Sequence, residues 1–348
     1  MELINQTAVA CDIQVSPIEG SDPERRYGLI TAKATFVVDE REHVALDTQA
    51  PYPLFAEDEK TLLGTFPSDA VPRRDPAFEV VVLGSVYGGG KRRQMVELSV
   101  GSHRRSLLVS GDRHWLTRER FSEPVPFNRI PLTWERAYGG SVECWIDEHS
   151  ALDLEHPMNR YGLGFDAEKL AADVGAAFKA PEGYPRLPAG WRRPLPNIED
   201  PERPMRAWDD DPRPICWAPI PTDIGEHLRR AHDHMAEHHQ GMSEEAMLEM
   251  VYQRAHPDWI LPLPAAEAPV ILKGMTRKQA WRFPLPRLRV LADYEIGEQT
   301  GTHTLAPQLL MLLPDESRLY IVYRHFFTFL TAPEMQRSIR IRLEKGWP

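Results

Sequence analysis

Short apolar and β-branched runs separated by turn-forming stretches recur through the first 150 residues. Each run has the length and composition of a β-strand, and the turn-prone letters GGGKRR and GSHRR separate the last three runs. Parallel neighbours need a crossover of about a dozen residues, so strands joined by such short turns pair antiparallel. We therefore expect an antiparallel β half over residues 1–150, with strands at 29–38, 79–87, 95–100 and 106–110.

The same alternation returns in the C-terminal part of the chain. It predicts a second β half over residues 257–348, which we expect to pack with residues 1–150 as one unit. The fold class that follows is mainly β, with antiparallel sheets in a sandwich-like or barrel-like arrangement and a small α-helical insertion; by element count it is α+β if that insertion is large. The predicted strands are 269–274, 280–285, 287–295, 308–313, 318–330 and 338–343.

Residues 151–220 have a different pattern. A helix is predicted over 166–179, with Asp166 as its N-cap and Leu170 and Val174 on one face. The proline-dense stretch that follows is rich in tryptophan, and disordered segments are poor in aromatic residues. We expect an ordered connector, and we expect four tryptophans to contribute to contact with a partner: Trp191, Trp208, Trp217 and Trp281.

Residues 221–256 read as a histidine-rich helical pair, which we also expect to contact a partner. His234 and His238 enclose Glu237 in an H-x-x-E-H pattern, and His227 falls on the same helix face. Two imidazoles one turn apart can hold Zn²⁺ while the glutamate takes a proton from a bound water. Histidines are so frequent in this segment that the pattern also arises by accident, and a solvated polar helix face is the plainer interpretation.

Charge and composition exclude several classes of function. The chain has 41 Lys and Arg against 51 Asp and Glu, a formal net charge of −10, which does not favour binding to a phosphate backbone. The three cysteines show no C-x-x-C pattern, which is typical of a reducing compartment. No apolar run approaches about 18 residues, so we expect a cytoplasmic protein that binds neither nucleic acid nor membrane.

The segment Trp134 to Gly140, WERAYGG, is the most distinctive motif in the chain. It predicts a strand that ends in a Gly-Gly turn, with at least one of Glu135 and Arg136 paired inside the protein. Together with other segments in the same order and spacing, it resembles the bacterial family called domain of unknown function 2169. The other segments that carry the resemblance are YGLITAKATFVV, FEVVVLGSVY, SGDRHW, FNRIPLT, LPNIEDP and PVILKGM.

This resemblance implies a role in type VI secretion. Members of that family look like adaptors or chaperones that hold a toxic effector in the producing cell and load it onto the valine-glycine repeat spike protein. No catalytic residues are carried over, and residues 221–260 depart from the family pattern. The matching motif positions are read as framework residues: Trp134, Glu135, Arg136, Tyr138, Gly139, Gly140 and Asn197.

We therefore expect an adaptor without enzymatic activity or a resident cofactor, whose partners are an effector toxin and the spike protein. Two alternatives stay open. One is a zinc-dependent hydrolase that uses His234, His238 and Glu237. The other is a carbohydrate-binding β module, suggested by nine tryptophans on a β-rich scaffold.

Overall fold

The computed structural model describes residues 1–17, 24–69, 77–178, 193–221, 223, 253–277, 280–330 and 336–346. This part of the chain is mainly β, with several antiparallel sheets, the helix α1 (Ala167–Phe178) and three short 3₁₀ helices at Trp134–Arg136, Pro257–Trp259 and Pro314–Glu316. In chain order the strands are β1 (Glu2–Asn5), β2 (Ala10–Pro17), β3 (Arg25–Val38), β4 (Val44–Leu46), β5 (Glu59–Thr61), β6 (Gly64–Phe66), β7 (Phe78–Val82), β8 (Ser85–Lys91), β9 (Arg93–Val100), β10 (His103–Ser110), β11 (Trp115–Thr117), β12 (Arg120–Phe121), β13 (Phe127–Pro131), β14 (Tyr138–Gly139), β15 (Ser141–Trp145), β16 (Ala151–Glu155), β17 (Leu163–Gly164), β18 (Ile198–Glu199), β19 (Ile260–Leu261), β20 (Pro269–Lys273), β21 (Ala280–Pro284), β22 (Arg289–Ile296), β23 (Gln299–Thr304), β24 (Ala306–Leu313), β25 (Arg318–Leu330) and β26 (Arg337–Glu344).

The largest sheet has seven strands in the order β19-β7-β24-β25-β3-β2, with β4 paired to the end of β3. Its longest antiparallel pairing joins β3 to β25, from Arg318 opposite Val37 to Leu330 opposite Arg25. All five residues of β7 are buried, as are seven of the eight residues of β24. Strands with both faces covered have near-continuous apolar sequences, and these two strands fit that pattern except at the buried polar residues Glu79 and Gln308.

Two further sheets complete the framework. The five-stranded sheet has the order β18-β10-β9-β20-β21, and the four-stranded sheet has the order β1-β26-β22-β23. In both the seven-stranded and the five-stranded sheet, strands from the first 150 residues pair with strands from residues 257–348. The remaining described pairs are the two-stranded ladders β5-β6, β8-β13, β11-β12, β14-β17 and β15-β16.

The predicted fold class is confirmed: the described chain is mainly β, and its sheets are mostly antiparallel. Three pairings are parallel: β1 with β26, β7 with β24, and β14 with β17. No tight turn connects the strands of any of these pairs, so the turn pattern of the sequence does not predict them. Within the described ranges no barrel closes.

Helix α1 lies close to its predicted position. The Asp166 carboxylate accepts a hydrogen bond from the backbone N–H of Lys169 at 3.2 Å, as an N-cap should. The apolar face of the helix, with Leu170 and Val174, packs on the hairpin β15–β16 in a small separate core around Cys144. None of the helices in the described part of the chain has the length and apolar character that a membrane span requires.

Candidate functional site

The predicted framework residues meet at one place, which we call the motif junction: residues 110–113, 134–140, 156–165 and 193–199. Trp134 is buried there, and its indole N–H lies 3.1 Å from the carbonyl oxygens of Ala218 and of Pro219. The prediction of a strand over this motif is wrong at Trp134–Arg136, which form a 3₁₀ turn. The backbone N–H groups of Arg136 and Ala137 bond back to Thr133 and Trp134, and this local bonding replaces the ladder of a strand.

Asn197 connects the separate segments of the motif junction. Its backbone N–H donates to the Arg136 carbonyl at 2.9 Å, and its side-chain oxygen accepts from the Arg136 guanidinium at 3.0 Å. Its side-chain NH₂ donates to the Ser110 carbonyl and to the Asp112 carboxylate, both at 3.0 Å. This buried amide is therefore satisfied on every side. Arg136 is half-buried on Asn197, and its carboxylate partner, Asp112 at 3.6 Å, is exposed; Glu135 is exposed too, so the predicted pairing does not take place inside the protein.

The Gly-Gly turn of the motif is required by close backbone packing. Gly139 and Gly140 have φ of 135° and 133°, which side-chain-bearing residues rarely adopt. A Cβ atom on Gly139 would lie 2.1 Å from the carbonyl oxygen of Asn159. The amide of that same Asn159 donates to the carbonyls of Trp134 and Tyr138 at 2.8 and 2.9 Å. Apart from the exposed Glu135, the predicted motif residues thus make packing or hydrogen-bond contacts that hold the segments of the motif junction together.

The predicted partner-contact tryptophans lie in different environments. Trp208 and Trp281 each line a surface cavity, while Trp217 is 1% exposed and packs edge-on against Trp259 in the main core. Trp191 lies outside the described residues, as do the predicted zinc residues His227, His234, Glu237 and His238. In the part of the chain that the structure describes, no group of three or more His, Cys, Asp or Glu side chains could hold a metal ion.

The cavity at Trp281, which we call the Trp281 cleft, has a volume of about 660 Å³. It lies where the turn between β24 and β25, the β8–β13 ladder and the β20–β21 hairpin meet. Trp281 itself is 6% exposed and packs against Phe283, so little of its surface is open to the cleft. The polar lining comes from Tyr87, Arg129, Arg277, Asp315 and the acidic segment 39–42.

One side of the Trp281 cleft is organised by Asp315. Its two carboxylate oxygens accept from the Tyr87 hydroxyl at 2.6 Å and from the Arg129 guanidinium at 2.8 Å. Arg129 also donates to the Ser85 hydroxyl at 2.9 Å. Burial, followed by the neighbouring Asp315 carboxylate, raises the pKa of Tyr87, so this hydroxyl remains a donor at neutral pH. These side chains are held in place before any partner arrives.

The acidic segment of the cleft is also preorganised. The Asp39 carboxylate accepts from the backbone N–H groups of Arg41 and His43 at 2.8 and 2.9 Å, and these bonds, led by the one from His43, hold the pKa of Asp39 below its usual range. Glu42 completes the turn with a left-handed backbone at φ 66°. A negative lip of fixed shape therefore lines the same cleft as Arg129 and the exposed Arg277.

Sequence reasoning missed most of the Trp281 cleft. Asp315 lies between the predicted strands 308–313 and 318–330, and Tyr87 and Arg129 are 228 and 186 positions away from it. No local spacing brings such residues together. The sequence offered one signal for this site. Tyr87 and Arg129 are polar residues within otherwise apolar strand segments that carry the family resemblance.

Residues 24–324 match a family described as uncharacterized protein conserved in bacteria (DUF2169). Because this span covers well over half of the 348 residues, the chain belongs to the DUF2169 family. No curated protein and no solved structure matches the chain. The motif junction and the Trp281 cleft both lie within the matched span.

Proposed function

We propose that this member of the DUF2169 family is an adaptor: it binds a toxic effector in the producing bacterial cell and loads it onto the valine-glycine repeat spike of type VI secretion. The family membership and the resemblance of its motifs support the role. The Trp281 cleft is the observation that supports a location for partner binding, because it combines aromatic and arginine side chains with a preorganised acidic lip.

The chemistry of this cleft suits a protein partner. Arginine, tyrosine and tryptophan are the residues that most often dominate the binding energy of protein interfaces. Trp281 and Tyr87 offer apolar edges, and Arg277 offers an exposed cation beside Glu40 and Glu42. Charges of both signs around an apolar floor favour one orientation of a partner and disfavour like-charged alternatives.

The partner extends beyond the cleft itself. A volume of about 660 Å³ accommodates a few side chains, whereas a stable interface buries about 800 Å² on each partner. We therefore propose that the cleft forms the centre of the interface and that the exposed residues around it form the rim.

The test is an affinity capture of the full-length tagged protein from its native cells, with quantitative mass spectrometry of what is retained. Wild type is expected to retain one toxin-like protein and a spike protein. Arg277→Glu and Glu42→Lys reverse charges on the cleft rim and are expected to lower retention of the effector at least tenfold, about 1.4 kcal/mol. Arg282→Glu is the matched control, because Arg282 is exposed on β21 next to Trp281 but does not line the cleft.

Two further readouts make the result decisive. Secretion of the captured effector should stop in cells that lack this protein and return with wild type or Arg282→Glu. Zinc is quantified on the same purified sample, because recovery of the protein alone with one zinc per chain would favour the hydrolase alternative. Equal effector retention by wild type, Arg277→Glu and Glu42→Lys would remove the cleft from the proposal, and a normal level of secretion without the protein would remove the adaptor role.

A further inference from the structure

A second cavity, which we call the Trp208 pocket, lies beside the motif junction and has a volume of about 510 Å³. The side chains that matter for its chemistry are Trp115, Trp208, Arg118, Glu168 and Arg193. Trp115 and Trp208 pack edge to face with ring centroids 5.6 Å apart. The pocket therefore has an aromatic wall and two guanidinium groups.

Two buried side chains that line this pocket each keep a donor without an acceptor. Arg193 is 1% exposed: its Nε donates to the Gly164 carbonyl and one terminal nitrogen donates to the Trp208 carbonyl. Among the described residues, the other terminal nitrogen, Nη2, has no hydrogen-bond partner, and neither has the indole N–H of Trp115, which is 6% exposed. Both nitrogens are closed off from solvent, and the Arg193 guanidinium also interacts with the Tyr138 hydroxyl. A buried donor without an acceptor is unfavourable, so a carboxylate in the pocket is favoured when a side-chain movement opens one of these donors to it.

The entrance to the pocket is held by an exchangeable ion pair. Arg118 is about three-quarters exposed, and its guanidinium donates to Glu168 at 3.0 Å. Its guanidinium carbon also lies 5.9 Å from the centre of the Trp208 ring, and that of Arg193 lies 5.0 Å from the same ring. Exposed ion pairs contribute little to stability. A carboxylate that enters can therefore take the place of Glu168 beside Arg118 at little cost.

We propose that the Trp208 pocket binds a carboxylate carried on an apolar or aromatic stem. A planar carboxylate has two oxygens that can accept from a guanidinium and from a second donor at once. The aromatic wall and the half-exposed Leu116 would cover the stem. Phosphate fits less well, because its second charge would meet Glu168 in the lining and Asp166, which lies 3.6 Å from Arg193. This inference does not depend on the adaptor role.

The test uses the full-length protein labelled with ¹⁵N at its nine tryptophan indoles. Trp115→Phe identifies the resonance of the Trp115 indole, and the other eight indole resonances show whether that variant keeps its fold. Sodium benzoate is titrated as the probe, with benzyl alcohol as its neutral counterpart and inorganic phosphate as the alternative anion. Benzoate is expected to shift the Trp115 resonance saturably, while benzyl alcohol and phosphate leave it in place at equal concentration.

Variants assign the contact. Arg118→Gln removes the exposed cation without disturbing the core, and it should weaken benzoate binding by a factor of about 5–10, as expected for losing one hydrogen bond at an exposed site. Arg120→Gln is the matched control, since Arg120 is exposed on β12 and does not line the pocket. The proposal is overturned if benzoate produces no saturable shift, if benzyl alcohol shifts the resonance equally, or if phosphate binds more tightly.

The source of the carboxylate is separated by a second pair of probes. N-acetylphenylalanine with a free carboxylate stands for the C-terminus of a peptide chain, and its primary amide is the control. Binding of the acid and not of the amide would extend the proposal to a chain terminus. Binding of benzoate alone would restrict it to small free acids.

Discussion

The seven-stranded sheet and the motif junction both bury an ion pair, and the two pairs are built alike. In the sheet, Lys33 on β3 pairs with Asp69, and its ammonium lies 4.0 Å from the centre of the Phe55 ring. In the junction, Arg113 pairs with Glu199, and its guanidinium carbon lies 5.5 Å from the centre of the Phe121 ring. All four charged side chains are less than 5% exposed.

Each carboxylate in these pairs also accepts a backbone N–H. Asp69 accepts from Phe55 at 2.7 Å, and Glu199 accepts from Met205 at 2.9 Å. Each pair thereby fixes a loop to a strand where no sheet ladder connects them. These backbone contacts offset part of the cost of burying the charges, while Asp69 Oδ1 and Arg113 Nε have no hydrogen-bond partner among the described residues.

The two pairs differ in what they can titrate. Burial lowers the pKa of Lys33 to about 8, with Asp69 opposing the shift. An arginine stays charged at any pH a protein encounters, and in the junction it is the carboxylate that responds: burial raises the pKa of Glu199. The sheet pair therefore loses a charge in alkali, when Lys33 gives up its proton, and the junction pair loses one in acid, when Glu199 takes up a proton.

The largest expected effect comes from breaking the junction pair. Arg113→Met leaves Glu199 buried without its cation and should lower the free energy of unfolding by about 3–5 kcal/mol at pH 7, measured by urea denaturation. Because burial raises the pKa of Glu199, that loss should shrink as the pH falls and the carboxyl takes up a proton. The double variant Arg113→Met with Glu199→Leu should recover most of the loss.

An exposed pair provides the control for this comparison. Arg104 pairs with Glu97 on the surface, and Glu97 keeps a second cation in Lys273 at 2.8 Å. Arg104→Ala should therefore cost less than about 1 kcal/mol. Equal losses for Arg113→Met and Arg104→Ala would contradict the view that the junction pair holds the chain together.

The next effect is the alkaline response of the sheet pair. With a pKa of about 8 in the fold against 10.5 in the unfolded chain, Lys33 binds fewer protons when folded, so stability should rise with pH between 8 and 10.5. The rise amounts to at most about 3 kcal/mol. Lys33→Met should lack it, while Lys60→Met, at an exposed lysine, should keep it. Parallel stability profiles for wild type and Lys33→Met over this range would show that Lys33 keeps its proton.

The strands of the sheet were predictable where the pattern was long and well bounded. The aromatic and β-branched run that predicts a strand over 318–330 forms β25 with those bounds. The single strand predicted over 79–87 is two strands, because the chain leaves the seven-stranded sheet at Gly84, where a Cβ atom would lie 2.7 Å from Pro314. That contact joins residues 230 positions apart, so the sequence around Gly84 does not predict it.

The cavities were less predictable than the strands, for a physical reason. Trp208 and Trp281 stood out in the sequence by residue type alone, yet Trp217, of the same type, is a core residue. Tryptophan is favoured both in cores and at interfaces, so its identity does not decide between them. Side chains such as Asp315 and Arg193 acquire their roles from partners brought close by the fold.

The smallest expected effect is an acid response at a third place, where the four-stranded sheet packs on the seven-stranded sheet. His303 on β23 stacks on His325 of β25 with ring centroids 4.1 Å apart, and burial, then the neighbouring His325, lowers the pKa of His303 to about 4. The neutral ring is favoured in the fold, so the contribution of this stack to stability should be constant above about pH 7 and fall as the pH drops from 6.5 toward 4. Both rings are partly exposed, which limits the loss to about 1–2 kcal/mol.

His303→Phe keeps the stack and cannot be charged, so its unfolding free energy should fall less over this range than that of wild type. His149→Gln, at an exposed histidine, should follow wild type. If His303→Phe loses as much stability in acid as wild type does, the stack is not the group that responds; Glu199 cannot take its place, because a carboxyl whose pKa is raised in the fold is favoured in acid.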